Sequence, residues 1–386
     1  MEASELLEII ARDEDSEHQF KANIATDISL AREMIAFSNT LGGMVIIGVS
    51  DEGTTSGLDR NDINRLNNLI SNAASQQVKP AINPITENIA LDGGLVIVVH
   101  VSKGMSKPYM DKNGAIWVKS GADKRKATSR EEIQRMYQSA GLLHGDETPV
   151  LAMTVADLDN RAFSDFYEKQ YEERLEQQDL PIKELLGNLN LSKKGTLNIA
   201  GALLFGKDVA LKLPAFIVKC VTYPSIDINE DQYIDSQDMT GILEKVFDDT
   251  LGFVLRNIGR KQRGQGVNSL GELAIPKIVF EELIVNALIH RDYLISAPIK
   301  ILIFSDRIEI ISPGHLPNNL TIENIKQGNS NMRNPILASF AARILPYRGL
   351  GSGIRRAIKA YKNIDFFEDR EGNYLKVVVY KNSTNK

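Results

Sequence analysis

In the run Glu282-Leu-Ile-Val-Asn286-Ala-Leu-Ile-His290, a carboxylate, an amide and an imidazole recur every four residues. On a helix that spacing gathers all three on one face. The intervening Leu283, Ile284, Ala287 and Leu288 give the same helix a core face. Further on, Gly349-Leu-Gly351-Ser-Gly353-Ile sets glycines at alternate positions just ahead of a helical pattern from Ile354 to Tyr361. Bare backbone N–H groups leading into a helix N-terminus can receive phosphate. Together the two segments point to a nucleotide pocket. The plainer alternatives are a solvated polar helix face and an ordinary glycine-rich turn.

The elements that must position these groups follow from periodicity and breakers. A helix over 275–290 carries the polar stripe, strands over 299–304 and 307–312 form a hairpin around Ser305-Asp306, and helices over 320–327, 335–345 and 353–362 precede a closing strand over 374–380. Upstream, a charged helix is expected over 158–180, then 181–189 and 197–205, a strand over 215–223 and a long amphipathic helix over 238–257. In the first part of the chain, helices are expected over 4–12, 27–40 (capped by Thr26 or Asp27), 61–74 and from Thr128-Ser129. Buried strands are expected over 44–49 and 94–101, with a hairpin around Asp111-Lys-Asn-Gly114 leading to a strand at 115–119. The fold class is α+β, with an α/β sandwich at the C-terminal end.

These residues occur in an order that resembles a known pairing of families. Glu281-Glu-Leu-Ile-Val-Asn-Ala-Leu-Ile-His-Arg-Asp-Tyr, Phe304-Ser-Asp306-Arg-Ile-Glu-Ile-Ile-Ser-Pro-Gly314, Arg333-Asn-Pro and Gly349-Leu-Gly-Ser-Gly resemble the divergent histidine-kinase/gyrase-type (GHKL) ATPase domain. Glu14-x4-Gln19-Phe-Lys21, the stretch from Ile35 through Gly42-Gly43 to Asp51-Glu-Gly53, Lys107-Pro-Tyr109 and Ala115-Ile-Trp-Val-Lys119-Ser-Gly121 resemble the Schlafen AlbA-type domain. Bacterial regulators and RecG-related proteins join the two in this order. The resemblance implies a nucleic-acid-binding domain over 1–143, a linker and lead-in over 144–269, and an ATP-binding domain over 270–386.

The resemblance also assigns roles. It implies that Asn286 holds Mg²⁺ between the phosphates of ATP and that Glu282 orients or deprotonates the attacking water. Hard Mg²⁺ suits an amide oxygen, and a carboxylate one turn away suits a bound water. His290, Gly314, Gly349, Gly351 and Gly353 would complete the nucleotide site. Where such ATPases carry an Asp for the adenine amino group, this chain has Ile311-Ser312-Pro313-Gly314, so Ser312 or Asp306 would substitute. The cluster His290-Arg-Asp-Tyr293 would equally serve to cap the helix and pin the next strand.

Schlafen-type relatives that cut RNA hold a metal with Glu-x4-Glu followed by an aromatic residue and Lys, plus a further Asp. Here Glu14, Lys21 and Asp51 fit, but Gln19 stands at the second acidic position. An amide brings no charge, so binding without cutting is expected unless Glu17 compensates. Glu14 and Lys21 would otherwise form a surface ion pair.

The formal net charge is -5, yet 103–135 holds nine basic residues against four acidic ones. That strip either supplies salt-dependent phosphate contacts or forms a solvated face. Lys21, Lys107, Lys119, Lys124, Arg125 and Lys126 are the candidate nucleic-acid contacts, to DNA or RNA. A single cysteine, Cys220, excludes an internal disulfide and a multi-cysteine zinc site. No window approaches a membrane span and no leader pattern opens the chain, so a cytoplasmic protein is expected. No G-x4-G-K-[ST] loop supports a helicase. The C-terminal end shows no winged helix, so nucleic-acid contact is expected from the first domain or from a homo-oligomer. A weak ATPase is the enzyme activity these residues could support, with nuclease activity or a ligand-free assembly module as rivals.

Overall fold

Apolar runs whose side chains alternate between two faces organise Met1–Leu143, one of the two compact units of the chain; the other is His144–Lys386. The structure is a computed structural model that describes residues 1–228, 232–261, 271–317, 320–349 and 351–381. The first unit runs α1 (Ala3–Ile10), β1 (His18–Lys21), α2 (Asp27–Asn39), β2 (Gly42–Ile47), α3 (Arg60–Asn72), β3 (Val78–Lys79), β4 (Ile85–Leu91) and β5 (Gly94–Ser102). It continues with β6 (Met110–Asp111), β7 (Trp117–Ser120), β8 (Asp123–Lys126) and α4 (Arg130–Ser139). Its main sheet has the order β1-β2-β5-β4, parallel between β1 and β2 and antiparallel elsewhere.

Both faces of this sheet are covered, which is why β2 and β5 read as continuous apolar runs. Val45, Ile47, Ile97 and Val99 pack with Leu30, Met34 and Leu66 of α2 and α3. Ile46, Val96 and Val98 pack on the opposite side with Leu6, Ile10 and Phe20. Thr26 caps α2, its hydroxyl accepting from Ser29 N. The turn after α2 needs glycine: a Cβ on Gly43, at φ +156°, would lie 2.4 Å from Phe37 and 2.5 Å from the Glu17 carbonyl.

The second unit begins with β9 (Pro149–Thr154), α5 (Asn160–Tyr171), α6 (Ile182–Asn188), β10 (Ser192–Lys193), β11 (Thr196–Asn198), α7 (Ile199–Phe205) and α8 (Val209–Lys212). Then come β12 (Val218–Thr222), β13 (Asp235–Met239), α9 (Leu243–Asn257), β14 (Arg260–Lys261), β15 (Glu272–Leu273) and α10 (Lys277–His290). The unit closes with β16 (Ile299–Ile303), β17 (Arg307–Pro313), α11 (Ile322–Gln327), α12 (Pro335–Ile344), α13 (Gly353–Ala360), β18 (Ile364–Asp369) and β19 (Tyr374–Tyr380). Its main sheet is β13-β12-β16-β17-β19-β18, with only β12 and β16 parallel.

Register aligns one side-chain row across this sheet. Cys220 pairs with Ile301, Ile301 with Ile310, Ile310 with Val377, and Val377 with Phe366. All five belong to the buried core with α9 and α10. On the opposite face Lys219 and Lys300 are exposed, while Leu302, Glu309 and Val378 are buried. The expected α+β class and C-terminal sandwich hold, and Cys220 is fully buried in a strand as expected.

Several boundaries differ from expectation. The charged helix expected to reach Leu180 stops at Tyr171, because Glu172 turns left-handed at φ 56° and caps it. The helix expected from Asp238 starts at Leu243; Asp238 and Met239 pair with Lys219 and Val218 as an edge strand. The stretch 144–269 is more than a lead-in, since β12 and β13 belong to the main sheet. Strands β1, β4 and β18 had no clear signal: His-Gln-Phe-Lys is short and polar, while β4 carries Asn88 and β18 carries Asp365 at exposed positions, with Glu87 and Glu368 half-buried.

Candidate functional site

The helix α10 is apolar nearly all round, with Val279, Phe280, Leu283, Ile284, Val285, Leu288 and Ile289 buried. Its polar stripe therefore faces something other than bulk water. Glu282, Asn286 and His290 line a single cavity together with Ser312 and Gly314 at the end of β17 and Gly349, Gly351 and Gly353 ahead of α13. Ile310, Phe366 and Val377 form its apolar floor. Its empty space is about 1020 Å³, the part open to solvent included. A large apolar cleft with a few convergent polar groups is the usual form of a small-molecule site.

Gly353 opens α13 directly on the stripe. A Cβ there would lie 2.5 Å from Glu282 Oε2 and 3.0 Å from Asn286 Nδ2. Gly349 and Gly351 both take φ values of +67° and +66°, and a Cβ on Gly351 would lie 2.0 Å from the Gly328 carbonyl. The loop is thus built for glycine at both places. Asn286 Nδ2 donates to the Glu282 carbonyl at 2.6 Å, which leaves its amide oxygen as the free end. Glu282 is 3% exposed and paired with Arg356, whose Nε lies 2.6 Å and Nη2 2.5 Å from Oε1. Arg356 Nη1 also donates to Ser352 Oγ at 2.9 Å.

His290 meets the Tyr347 hydroxyl at 3.3 Å. Burial, helped by the nearby Arg333 guanidinium, pushes its pKa down to about 4, so the ring is neutral at pH 7. The rest of the cluster is architectural. Arg291, 2% exposed, donates to the Ile295 and Ala297 carbonyls and lies 4.8 Å from the Phe216 and Tyr293 rings. Tyr293 donates to Leu288 O, and Asn334 donates to the carbonyls of Ile289 and Arg291 at the end of α10. Arg333 lies over Gly314, where a Cβ would come within 2.3 Å of its Nη1.

The two residues offered as adenine partners part company. Ser312, 7% exposed, lines the cavity and its hydroxyl donates to Ala287 O at 3.3 Å. Asp306 sits in the turn before β17, paired with Arg307 at 3.0 Å, and is not among the lining residues. The two positions are at opposite ends of one strand, and six residues of extended chain span roughly 20 Å.

In the first unit the candidate cations are mostly engaged internally. Lys107 Nζ donates to the Asn39 and Thr40 carbonyls at 2.7 and 3.0 Å, and burial lowers its pKa to about 8. Lys119, 9% exposed, donates to Gln19 Oε1 at 2.9 Å and to the Ala122 carbonyl, and burial lowers its pKa too. Lys124 pairs with buried Glu33 at 2.5 Å, and Lys21 lies 3.9 Å from Glu14 and 3.7 Å from Asp51. Arg125 pairs with Glu132 at 2.8 Å, and Lys126 and Arg32 both stack on Trp117. Arg125 and Lys126 are the exposed members of the set, with Lys112, Arg130 and Arg135 exposed nearby.

Glu14, Gln19, Lys21 and Asp51 do converge. Glu14 Oε1 accepts from Gln19 Nε2 at 2.5 Å and from Phe20 N at 2.6 Å, so the Gln19 amide bridges Glu14 to Lys119. Among the described residues no group of three or more His, Cys, Asp or Glu is placed to hold a metal ion.

Two family models match separate stretches of the chain. The family described as "Schlafen, AlbA_2" matches residues 14–128, and that described as "Putative ATP-dependent DNA helicase recG C-terminal", an HATPase_c type, matches residues 296–375. The chain joins a Schlafen AlbA_2 domain to a RecG C-terminal-like, ATPase-like domain. Among solved structures it is similar to the DIP2311 protein from Corynebacterium diphtheriae, at 19% identity and TM-score 0.48 over 98% of this chain and 80% of that one. It is also similar to the N-terminal domain of a "Putative ATP-dependent DNA Helicase RecG-related Protein" from Nitrosomonas europaea, at 24% identity and TM-score 0.23 over 34% of this chain and 96% of that one. No curated protein matches.

The match to the ATPase-like domain begins after α10, so it takes in Ser312, Gly314, the glycine loop and Arg356 while Glu282, Asn286 and His290 precede it. The fold brings both groups to one cavity. Arg356 was not foreseen. Its sequence signal was an arginine in the opening turn of a helix, where the positive end of the dipole disfavours a cation. Among the described residues, no helix is long and apolar enough to cross a membrane.

Proposed function

We propose that this chain is a nucleic-acid-binding regulator whose ATPase-like domain binds ATP with Mg²⁺, the nucleotide state setting its conformation or its assembly as a homo-oligomer. The observation that carries the reading is the seat of Gly353 on the Glu282/Asn286 stripe: the first residue of α13 lies against the Glu282 carboxylate and the Asn286 side-chain amide inside one cavity. A phosphate at a helix N-terminus is favoured by unpaired N–H groups and the helix dipole together.

The residues fit the cofactor. Asn286 and Glu282 offer oxygen donors, as Mg²⁺ requires, and any side chain on Gly353 would fill the cradle. Asn286 would hold the ion, which when bound supplies charge neutralisation beside the phosphates. Ser312 would accept a hydrogen bond from the base while its own hydroxyl donates to the Ala287 carbonyl. Neutral His290 and Tyr347 close one wall without adding charge. Two ligand states must differ in affinity for two conformations if nucleotide is to regulate anything.

For the AlbA_2 domain we infer binding without cutting. The Gln19 amide takes Glu14 Oε1 and in turn accepts from the Lys119 ammonium, so the second acidic position brings no charge for a metal ion and stands next to a cation. Arg125 and Lys126 carry the phosphate contacts: the Arg125–Glu132 pair is half exposed, and such a pair is worth at most about 1 kcal/mol, little enough to exchange for phosphate. Titration calorimetry with ATP-Mg²⁺ on the wild type and Asn286→Ala tests the nucleotide site, and incubation of labelled RNA and single-stranded DNA with Mn²⁺ tests for cutting. Cleavage abolished by Glu14→Ala would establish the nuclease instead.

A further inference from the structure

Glu282 is almost wholly buried, and its Oε1 is taken by two nitrogens of Arg356. A carboxylate oxygen that accepts both bonds of a guanidinium has little capacity left for a water molecule. Arg356 itself stands in a place where a cation is disfavoured, the opening turn of α13, and remains 31% exposed. Its third nitrogen donates to Ser352 Oγ, at the N-cap of the same helix. Arg356, Ser352, Gly353 and Glu282 all line the one cavity.

Resting on the nucleotide reading above, we propose that Arg356 is a terminal-phosphate sensor: it holds Glu282 while the cavity has no anion and transfers to the last phosphate of a bound nucleoside triphosphate, releasing Glu282. No covalent step is involved. One charge-assisted pair is exchanged for another, and the fork of a guanidinium suits phosphate as well as carboxylate. The exchange also removes an unfavourable interaction, because the arriving anion compensates both the guanidinium and the positive end of α13. Since Arg356 and Gly353 belong to one helix, α13 receives the signal directly. A diphosphate lacks the group that competes for Arg356, so the pair stays closed and the two nucleotides are told apart.

The test is calorimetry on the full chain with ATP and with ADP, each with Mg²⁺. The wild type should bind ATP more tightly than ADP by about 10- to 100-fold, the range of one or two charge-assisted bonds. Arg356→Ala should bring ATP affinity down to the ADP level and leave ADP affinity within about twofold, and Arg356→Lys should restore part of the difference. Glu282→Gln, which frees Arg356, should raise ATP affinity. Because Arg356→Ala leaves a buried carboxylate alone, the double variant Glu282→Gln/Arg356→Ala, with no unpaired charge, must also lose the preference. If the wild type binds both nucleotides and either variant lacking Arg356 keeps the wild-type ratio, the sensor is refuted while the nucleotide site stands. If the wild type binds neither, both fall.

Discussion

Asn39 and Tyr109 exchange two hydrogen bonds, Nδ2 to the Tyr109 carbonyl and the Tyr109 amide to Oδ1, both at 2.8 Å. Asn39 Nδ2 also reaches the Trp117 carbonyl at 2.9 Å. One side chain at the end of α2 therefore fixes two later segments of the AlbA_2 domain. Asn39→Ala takes this partner from two buried backbone groups of Tyr109 and from the part-buried Trp117 carbonyl, and should cost about 2–4 kcal/mol, at roughly 1–3 kcal/mol per orphaned group with partial relief from water. Urea unfolding of the first unit's transition measures it. A loss below about 0.5 kcal/mol would mean that the pair is incidental.

The cations of the AlbA_2 domain should separate into two classes. Arg125→Ala and Lys126→Ala should weaken nucleic-acid binding about equally for all sequences, each reducing the slope of log affinity against log salt by about 1. Lys107→Ala and Lys119→Ala should lower stability instead, since Lys107 caps the carbonyls ending α2 and Lys119 is bonded to Gln19 and Ala122. Fluorescence anisotropy at several salt concentrations, beside thermal melts, distinguishes the two. A loss of salt slope in Lys107→Ala at unchanged stability would reverse the assignment.

Gly353→Ala tests the cradle by shape alone. Alanine favours a helix, yet its methyl would meet Glu282 Oε2 at 2.5 Å. The overpacking should cost about 1–3 kcal/mol and weaken ATP at least tenfold. Unchanged affinity in the folded variant would remove Gly353 from the site.

Asp146 gives the second unit a pH signature. Its side chain accepts from Leu337 N at 2.9 Å near the start of α12, and burial, the largest influence, raises its pKa to about 6. The folded state then binds a proton more tightly than the unfolded chain, whose carboxyl has the ordinary value of 3.8. Stability is fully present below pH 3.8 and declines as pH rises through about 6. The difference in unfolding free energy between wild type and Asp146→Asn should carry that slope between pH 4 and about 6; a flat difference contradicts it.

What the sequence made legible was whatever periodicity or breakers encode locally. Glu282, Asn286 and His290 share a face because helical spacing dictates it, and Gly349, Gly351 and Gly353 mark a turn into a helix on chemistry alone. Which end of a strand reaches the cavity depends on register across the sheet, so Asp306 and Ser312 could not be separated beforehand. The state of the basic strip was equally hidden: charge counts along the chain are blind to the Asn39 and Thr40 carbonyls and to Gln19, the partners that hold Lys107 and Lys119. Strand β13 escaped because its residues Asp-Ser-Gln-Asp-Met pair at a sheet edge with mostly exposed side chains, where no alternation of apolar residues arises.

The nucleotide site itself is tested most directly by titrating ATP-Mg²⁺ into the full chain and into Asn286→Ala. The wild type should bind saturably and gain about 2.7 kcal/mol of stability at a hundredfold excess over its dissociation constant, with Asn286→Ala at least tenfold weaker at unchanged melting temperature. No saturable binding by the wild type, or equal binding by the two, contradicts it.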